Sequence, residues 1–262
     1  MEESIKKTVK DWQMKELDPC YVFVYVSKEE IYMREKYSIK KKDLYTMVGI
    51  NVMGKKRVLG LYVEDENNNH YWMNRFEELK HRGVKDMFFL MVGSNKKIKR
   101  GARLVFDKIE FIPLLQEIID NSTKYIARKN FRELSVMLRA MCIKETIEEA
   151  KDALSIYKKG LLEDDILKHI IMQYEEGILG SYKYNINLRK QMYSMSFIET
   201  LRRKYKKELR KTGIFESTDM LLFEMLKLYI NIEETWVYSK RNWNDIINLV
   251  GKDYMERIYS YL

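Results

Sequence analysis

Strand signals interrupted by one helix signal between residues 20 and 92 constrain the fold more than anything else in the chain. Five apolar runs, CYVFVYV at 20–26, IYMREKY at 31–37, LYTMVGINV at 44–52, RVLGLYV at 57–63 and MFFLMV at 87–92, read as strands. Met53-Gly54-Lys55 reads as a tight hairpin turn, because glycine takes the positive φ such turns require, so the third and fourth runs should be antiparallel neighbours. Between the fourth and fifth runs, HYWMNRFEELKHRG sets Trp72, Phe76 and Leu79 at helical spacing and closes on Gly83 as a C-cap. A strand, helix, strand crossover implies parallel pairing. The expectation is an α/β protein with a mixed five-stranded sheet and at least one covering helix.

From about residue 110 the pattern reads as wholly helical, with Pro113 in the first turn of a helix running to about Ile126. Thr146-Ile147-Glu148-Glu149 matches the capping box, in which the threonine hydroxyl and the glutamate three residues on satisfy free backbone donors. That helix should run to about Lys159 and end at Gly160. Ser217 and Asp219 announce another over 218–232, with Leu221, Leu222, Met225, Leu228 and Tyr229 as an apolar stripe that reads as core packing. No internal repeat or proline-rich linker marks a boundary, so a division near residue 127 rests on the change of pattern alone.

With 262 residues the chain is long enough for a sizeable core, as one large domain or two smaller ones. Hydrophobic residues are 46% of the chain, yet no run approaches the roughly 18 uninterrupted apolar residues of a membrane span. The mixed charge of MEESIKKTVKDWQMKEL does not resemble a secretory signal, and a soluble, cytoplasmic protein is expected. Cys20 and Cys142, with His70, His81 and His169, have no metal-ligand spacing. Each thiol reads as a buried small hydrophobe, the competing reading being a nucleophile. The net charge of +9 points to a polyanion only if the excess is clustered.

Three segments, taken in order, carry a resemblance to one known protein family. The first runs from Asp11-Trp12 through Leu17-Asp18-Pro19-Cys20-Tyr21 and the following strand. The second is MVGINVMGKKRVLGLYVEDENNNHYWMNRFEELKHRGVKDM at 47–87. The third begins at Arg189, passes through YSMSFIETLRRKYKKELRKTGIFESTD, and ends in INIEETWVYSKRNWNDIIN, where Trp236 and Arg241-Asn242-Trp243-Asn244 are its most distinctive part. The middle, about 95–188, matches only in helical pattern and in fragments such as Thr123-Lys124-Tyr125-Ile126.

Together these segments resemble the mutator family of bacterial insertion-sequence transposases, and the resemblance implies a ribonuclease H-like mixed five-stranded sheet with helices, a mostly α-helical insertion and C-terminal helices. On this reading residues 1–126 carry the sheet, 127–193 the insertion and 194–262 the helices that complete the core. It also implies a DNA-binding region ahead of the part seen here. Active members hold Mg²⁺ with two aspartates and one glutamate, and the metals activate a water or a 3′ hydroxyl for in-line attack on a phosphodiester.

Carried over one at a time, the first aspartate falls at Ser27 and the second at Gly93. The family's Cys and His fall at Leu114 and Glu117, and the asparagine before the glutamate at Ser196. The glutamate is retained as Glu199. One of three carboxylates survives, so no metal cofactor and no cutting are expected. Glu29 shares a strand face with Ser27, but two residues displace it by roughly 6.6 Å, more than a two-metal site tolerates; Glu30 is the other nearby acid. Glu199 also has a structural reading, as a surface partner of Arg202 and Arg203 at helical spacing.

The densest basic segment is Arg202, Arg203, Lys204, Lys206, Lys207, Arg210 and Lys211, with Ile198, Leu201, Tyr205 and Leu209 available for the inner face of their helix. A second, Lys96, Lys97, Lys99 and Arg100, follows the strand that ends before Gly93. Both fit weak, non-specific DNA binding beside a former active site, or else solvated helix faces. The alternative function is an interaction module that pairs with another copy or with an intact transposase and regulates or poisons it.

Overall fold

A computed structural model of the chain describes residues 2–64, 68, 70–122, 125, 128–160, 165–193, 196–236 and 242–261. The first half runs α1 (Glu2–Gln13), β1 (Cys20–Glu35), β2 (Ser38–Asn51), β3 (Lys56–Val63), α2 (Tyr71–His81), β4 (Asp86–Val92), α3 (Lys96–Val105), β5 (Glu110–Pro113) and α4 (Leu115–Ser122). The second half runs α5 (Arg128–Cys142), α6 (Ile147–Gly160), α7 (Asp165–Gly180), α8 (Ile186–Met192), α9 (Ser196–Thr212), β6 (Ile214–Phe215), α10 (Thr218–Glu233) and α11 (Trp243–Tyr259). The boundary at 126–127, the fragment Thr123, Lys124 and Ile126, residues Ser194 and Met195, and Arg241 lie outside the described residues.

The sheet is mixed, in the order β3-β2-β1-β4-β5, with the short β6 also on β1. β1 pairs antiparallel with β2 and β2 with β3, whereas β4 is parallel to β1 and β5 parallel to β4. From Cys20 to Val26 every residue of β1 is buried, the pattern of a strand covered on both faces. Its pairing with β2 slips between Tyr21 and Phe23, a bulge that turns Val22 and Phe23 toward the same layer.

One face is covered by α2 and α3, whose Trp72, Phe76, Leu79, Ile98 and Ala102 pack on Tyr21, Val24, Met47 and Leu90. The other carries α1 and α4 to α11, and the buried Leu134, Leu138, Ile171 and Tyr174 join one cluster with Tyr25, Phe89 and Ile112. Helical and sheet-bearing stretches therefore share a core. Cys20 and Cys142 are both buried, and burial pushes the Cys20 thiol up to about 12, so neither is poised as a nucleophile. Among the described residues no helix is long and apolar enough to cross a membrane.

The hairpin turn forms as expected. Asn51 Oδ1 accepts from the amides of Met53 (3.0 Å) and Lys55 (2.9 Å), and Gly54 sits at φ +75°. A Cβ on Gly54 would lie 2.6 Å from Cγ of Trp243, whose indole donates to the Val52 carbonyl. Gly54→Ala is expected to destabilise the protein by about 2 kcal/mol, through both the backbone strain and the displaced ring. A denaturant midpoint with unchanged m-value would measure it. The capping box also forms, Glu149 N donating to Thr146 Oγ1 (3.1 Å), and Ser217 Oγ accepts from Met220 N (3.2 Å) at the start of α10.

Three expectations need correction. Residues 31–37 are not a separate strand: β1 continues to Glu35 because Ser27, Glu29, Ile31 and Met33 alternate inward through the polar stretch, and the turn comes at Lys36, φ +50°. The chain is not wholly helical after residue 110, since Glu110–Pro113 adds β5 beside β4. Pro113 thus ends an edge strand, where its missing N–H costs no ladder bond, and α4 starts two residues later.

Candidate functional site

The parallel pairing of β1 with β4 ends with Tyr25 opposite Met91, and Ser27 and Gly93 each follow that last pair by two residues. Both lie toward the carboxyl ends of the parallel segment, where clefts form in α/β sheets. Ser27 is buried and its Oγ has no hydrogen-bond partner. Gly93 leaves room that another side chain fills: a Cβ built there would fall within contact of the Glu117 carboxylate. Glu117 Oε1 accepts from Ser94 N (3.0 Å), Ser94 Oγ (3.3 Å) and Tyr174 OH (3.4 Å).

Glu117 stands in the first turn of α4, whose start is tied to β4 by the Leu114 amide donating to the Val92 carbonyl (3.1 Å). The sequence alone compares Glu117 with a lost histidine and does not foresee it above Gly93. The signal was β5: a strand at 110–113 parallel to β4 obliges the next helix to begin beside the end of β4.

The helix α9 is fixed to the sheet by Ile198, Leu201 and Tyr205, which are buried as the spacing suggested. Tyr205 OH donates to Thr46 Oγ1 on β2 (3.2 Å), and Thr46 in turn bonds Tyr229 OH of α10 (2.8 Å). Arg202, on this inner face, is buried. Its Nε donates to Glu29 Oε1, and its Nη2 lies 2.5 Å from Asp120 Oδ2 of α4. Burial opposes the guanidinium's charge, but Glu29 and Asp120 together more than offset it and hold Arg202 above its usual range.

Arg202 therefore does not pair with Glu199 on the surface. Glu199 instead meets Arg139 of α5. Glu29 is taken up by Arg202 and, at 3.8 Å, by Lys206, while Glu30 pairs with Lys41 at 2.6 Å. Ser27, Glu29, Glu117, Asp120 and Arg202 line one cleft of about 590 Å³. Glu199 lines the adjoining one of about 600 Å³, and the two share Gln116, Arg202, Lys206 and Arg210. Glu117, which covers Gly93, thus lines the cleft with Ser27, and Arg202 lines both that cleft and the one of Glu199.

A divalent pair does not fit these residues. One position offers a hydroxyl, one no side chain, and a guanidinium lies between the nearest acids, whereas magnesium wants several oxygen ligands at close range. Among the described residues no group of three or more His, Cys, Asp or Glu is placed to hold a metal ion.

The basic residues divide. Arg203, Lys206, Lys207, Arg210 and Lys211 of α9 line the second cleft, with Glu199 as its one acid among the described residues. Lys204 faces away, into a small hollow with Phe197 and Trp236. Lys96 and Lys97 open α3, whose N-terminus Asn95 caps by accepting from Lys97 N (2.9 Å) and Ile98 N (3.3 Å); Arg100 is exposed one turn on. Together with Lys28 they line a third cleft, opposite Asp43, Glu64 and Glu117, and the charges there balance. The excess positive charge is concentrated on α9.

This arrangement defines a class: an α/β protein with a polar cleft at the ends of adjacent parallel strands, flanked by a basic helix. The family model for the Mutator family of transposases matches residues 1–239, and the chain belongs to that family. It is 21% identical over 260 residues to the transposase for insertion sequence element ISRM3 of Rhizobium meliloti, covering 98% of this chain and 65% of that protein. To the transposase for insertion sequence element IS256 in transposon Tn4001 of Staphylococcus aureus it is 18% identical over 244 residues, covering 92% of this chain and 63% of that protein. The chain spans a little under two thirds of the length of these relatives.

Proposed function

We propose that this chain is a transposase-family protein that lacks strand-cutting chemistry and binds DNA weakly through α9. The observation that carries the reading is that Ser27 and Gly93, each two residues past the last pair of β1 with β4, carry no carboxylate. In-line attack on a phosphodiester by a two-metal route needs oxygen ligands there. The mixed sheet, with parallel β1, β4 and β5 and an antiparallel β2–β3 hairpin, supports the ribonuclease H-like assignment. In that assignment residues 127–193 are a helical insertion into a core formed by the flanking segments.

DNA binding is supported by the exposed cations of α9. Such groups contact phosphates and carry no sequence information, so binding should be sequence-tolerant, salt-sensitive and of the order of 10⁻⁴–10⁻⁶ M. The test is a magnesium- or manganese-dependent cleavage and strand-transfer assay on labelled duplex, run beside Glu199→Gln, with binding followed across a salt series. The expected result is salt-sensitive binding and no cleavage by either protein. Metal-dependent cleavage that Glu199→Gln abolishes would sink the proposal, because it would mean that another carboxylate has replaced the lost pair.

A further inference from the structure

The cleft acids are not left uncompensated. We infer that Arg202 is a built-in counter-ion, whose guanidinium takes the charge-neutralising place between β1 and α4 that a divalent cation would otherwise fill, and so makes the docking of α9 independent of metal. The inference rests on the reading of the strand ends as a lost metal site.

Three features support it. Arg202 uses two different nitrogens of its guanidinium, Nε toward Glu29 of β1 and Nη2 toward Asp120 of α4, so one side chain joins three elements. It is buried, and its Glu29 partner is buried with it, so removing the guanidinium would leave Glu29 with only the more distant Lys206, at 3.8 Å, in a medium poor at screening charge. The charge is permanent, since an arginine does not deprotonate at accessible pH, and its planar fork keeps the two acids apart at fixed positions. A metal ion bound by the same oxygens would have to displace a side chain anchored by Leu201 and Tyr205 on either side of it.

The test follows thermal unfolding of the full chain in EDTA and across a manganese chloride series, with sodium chloride matched for ionic strength and bound manganese counted by electron paramagnetic resonance. The wild-type protein should show no saturable shift. Arg202→Met should lose about 5–10 °C in EDTA and recover part of it saturably with manganese, because buried Glu29 then keeps only Lys206 at 3.8 Å as a counter-charge. The double variant Arg202→Met with Glu29→Gln should not recover. If Arg202→Met does not fold in EDTA, the yield on refolding with and without manganese reads the same quantity: recovery supports the inference and its absence overturns it. A wild-type melting curve as stable as that of Arg202→Met, with no manganese response in either, overturns the counter-ion inference alone and leaves the non-cutting reading standing. Saturable manganese binding by the wild-type protein, lost in Glu29→Gln, overturns both.

Discussion

Replacing Arg189 with methionine is expected to lower the unfolding free energy by about 3–5 kcal/mol. Arg189, on α8, is 2% exposed, and four of its partners are main-chain carbonyls. Nε donates to Tyr184 O (3.3 Å), Nη1 to Cys142 O (3.2 Å), and Nη2 to Lys144 O (2.8 Å) and Glu145 O (3.3 Å). The guanidinium also stacks on the ring of Tyr182, 3.7 Å from its centroid. The residue thus closes the turn between α5 and α6 onto α8. Methionine keeps most of the volume but none of the donors, and each carbonyl left buried without a partner costs about 1–3 kcal/mol. Lysine should rescue little, because a point ammonium cannot span four carbonyls in one plane. The check is the denaturant midpoint at constant m-value. A loss under about 1 kcal/mol would mean that water replaces the guanidinium at these carbonyls.

The second large effect concerns affinity. Changing Arg203, Lys206, Lys207 and Arg210 together to glutamine should weaken binding to duplex DNA about 10³-fold near 0.1 M salt and flatten the dependence of log affinity on log salt by about three to four. The four line the cleft where positive charge is in excess. Lys96→Gln with Lys97→Gln should change both quantities much less, because Asp43, Glu64 and Glu117 already balance the lysines of that cleft. Fluorescence anisotropy over a salt series would decide. An unchanged slope in the α9 variant would show that its cations do not meet phosphate.

Much of this fold was legible because it is locally encoded. Asn51 and Gly54 dictate the hairpin, Thr146 and Glu149 the start of α6, Ser217 the start of α10, and the spacing of Ile198, Leu201 and Tyr205 the inner face of α9. β5 was not legible. EFIP is four residues long and carries no alternation of its own, so its state is set by the hydrogen bonds it makes with β4. The continuation of β1 through Ser27 and Glu30 was obscured in the same way, since its polar residues are accepted into the strand by pairing with β2 and by partners far along the chain.

The site divides along the same line. The sequence by itself determined that positions 27 and 93 carry no carboxylate, that Glu199 remains, and that positive charge gathers in one helical segment. Only the tertiary structure decided that Glu117 covers Gly93, that Arg139 rather than Arg202 meets Glu199, and that Arg202 turns inward to Glu29 and Asp120. The reason is that periodicity records which face of an element is apolar. A charged side chain instead takes its partner from whichever elements the packing brings within a few ångströms, and here those partners lie 60 to 173 residues away in the chain.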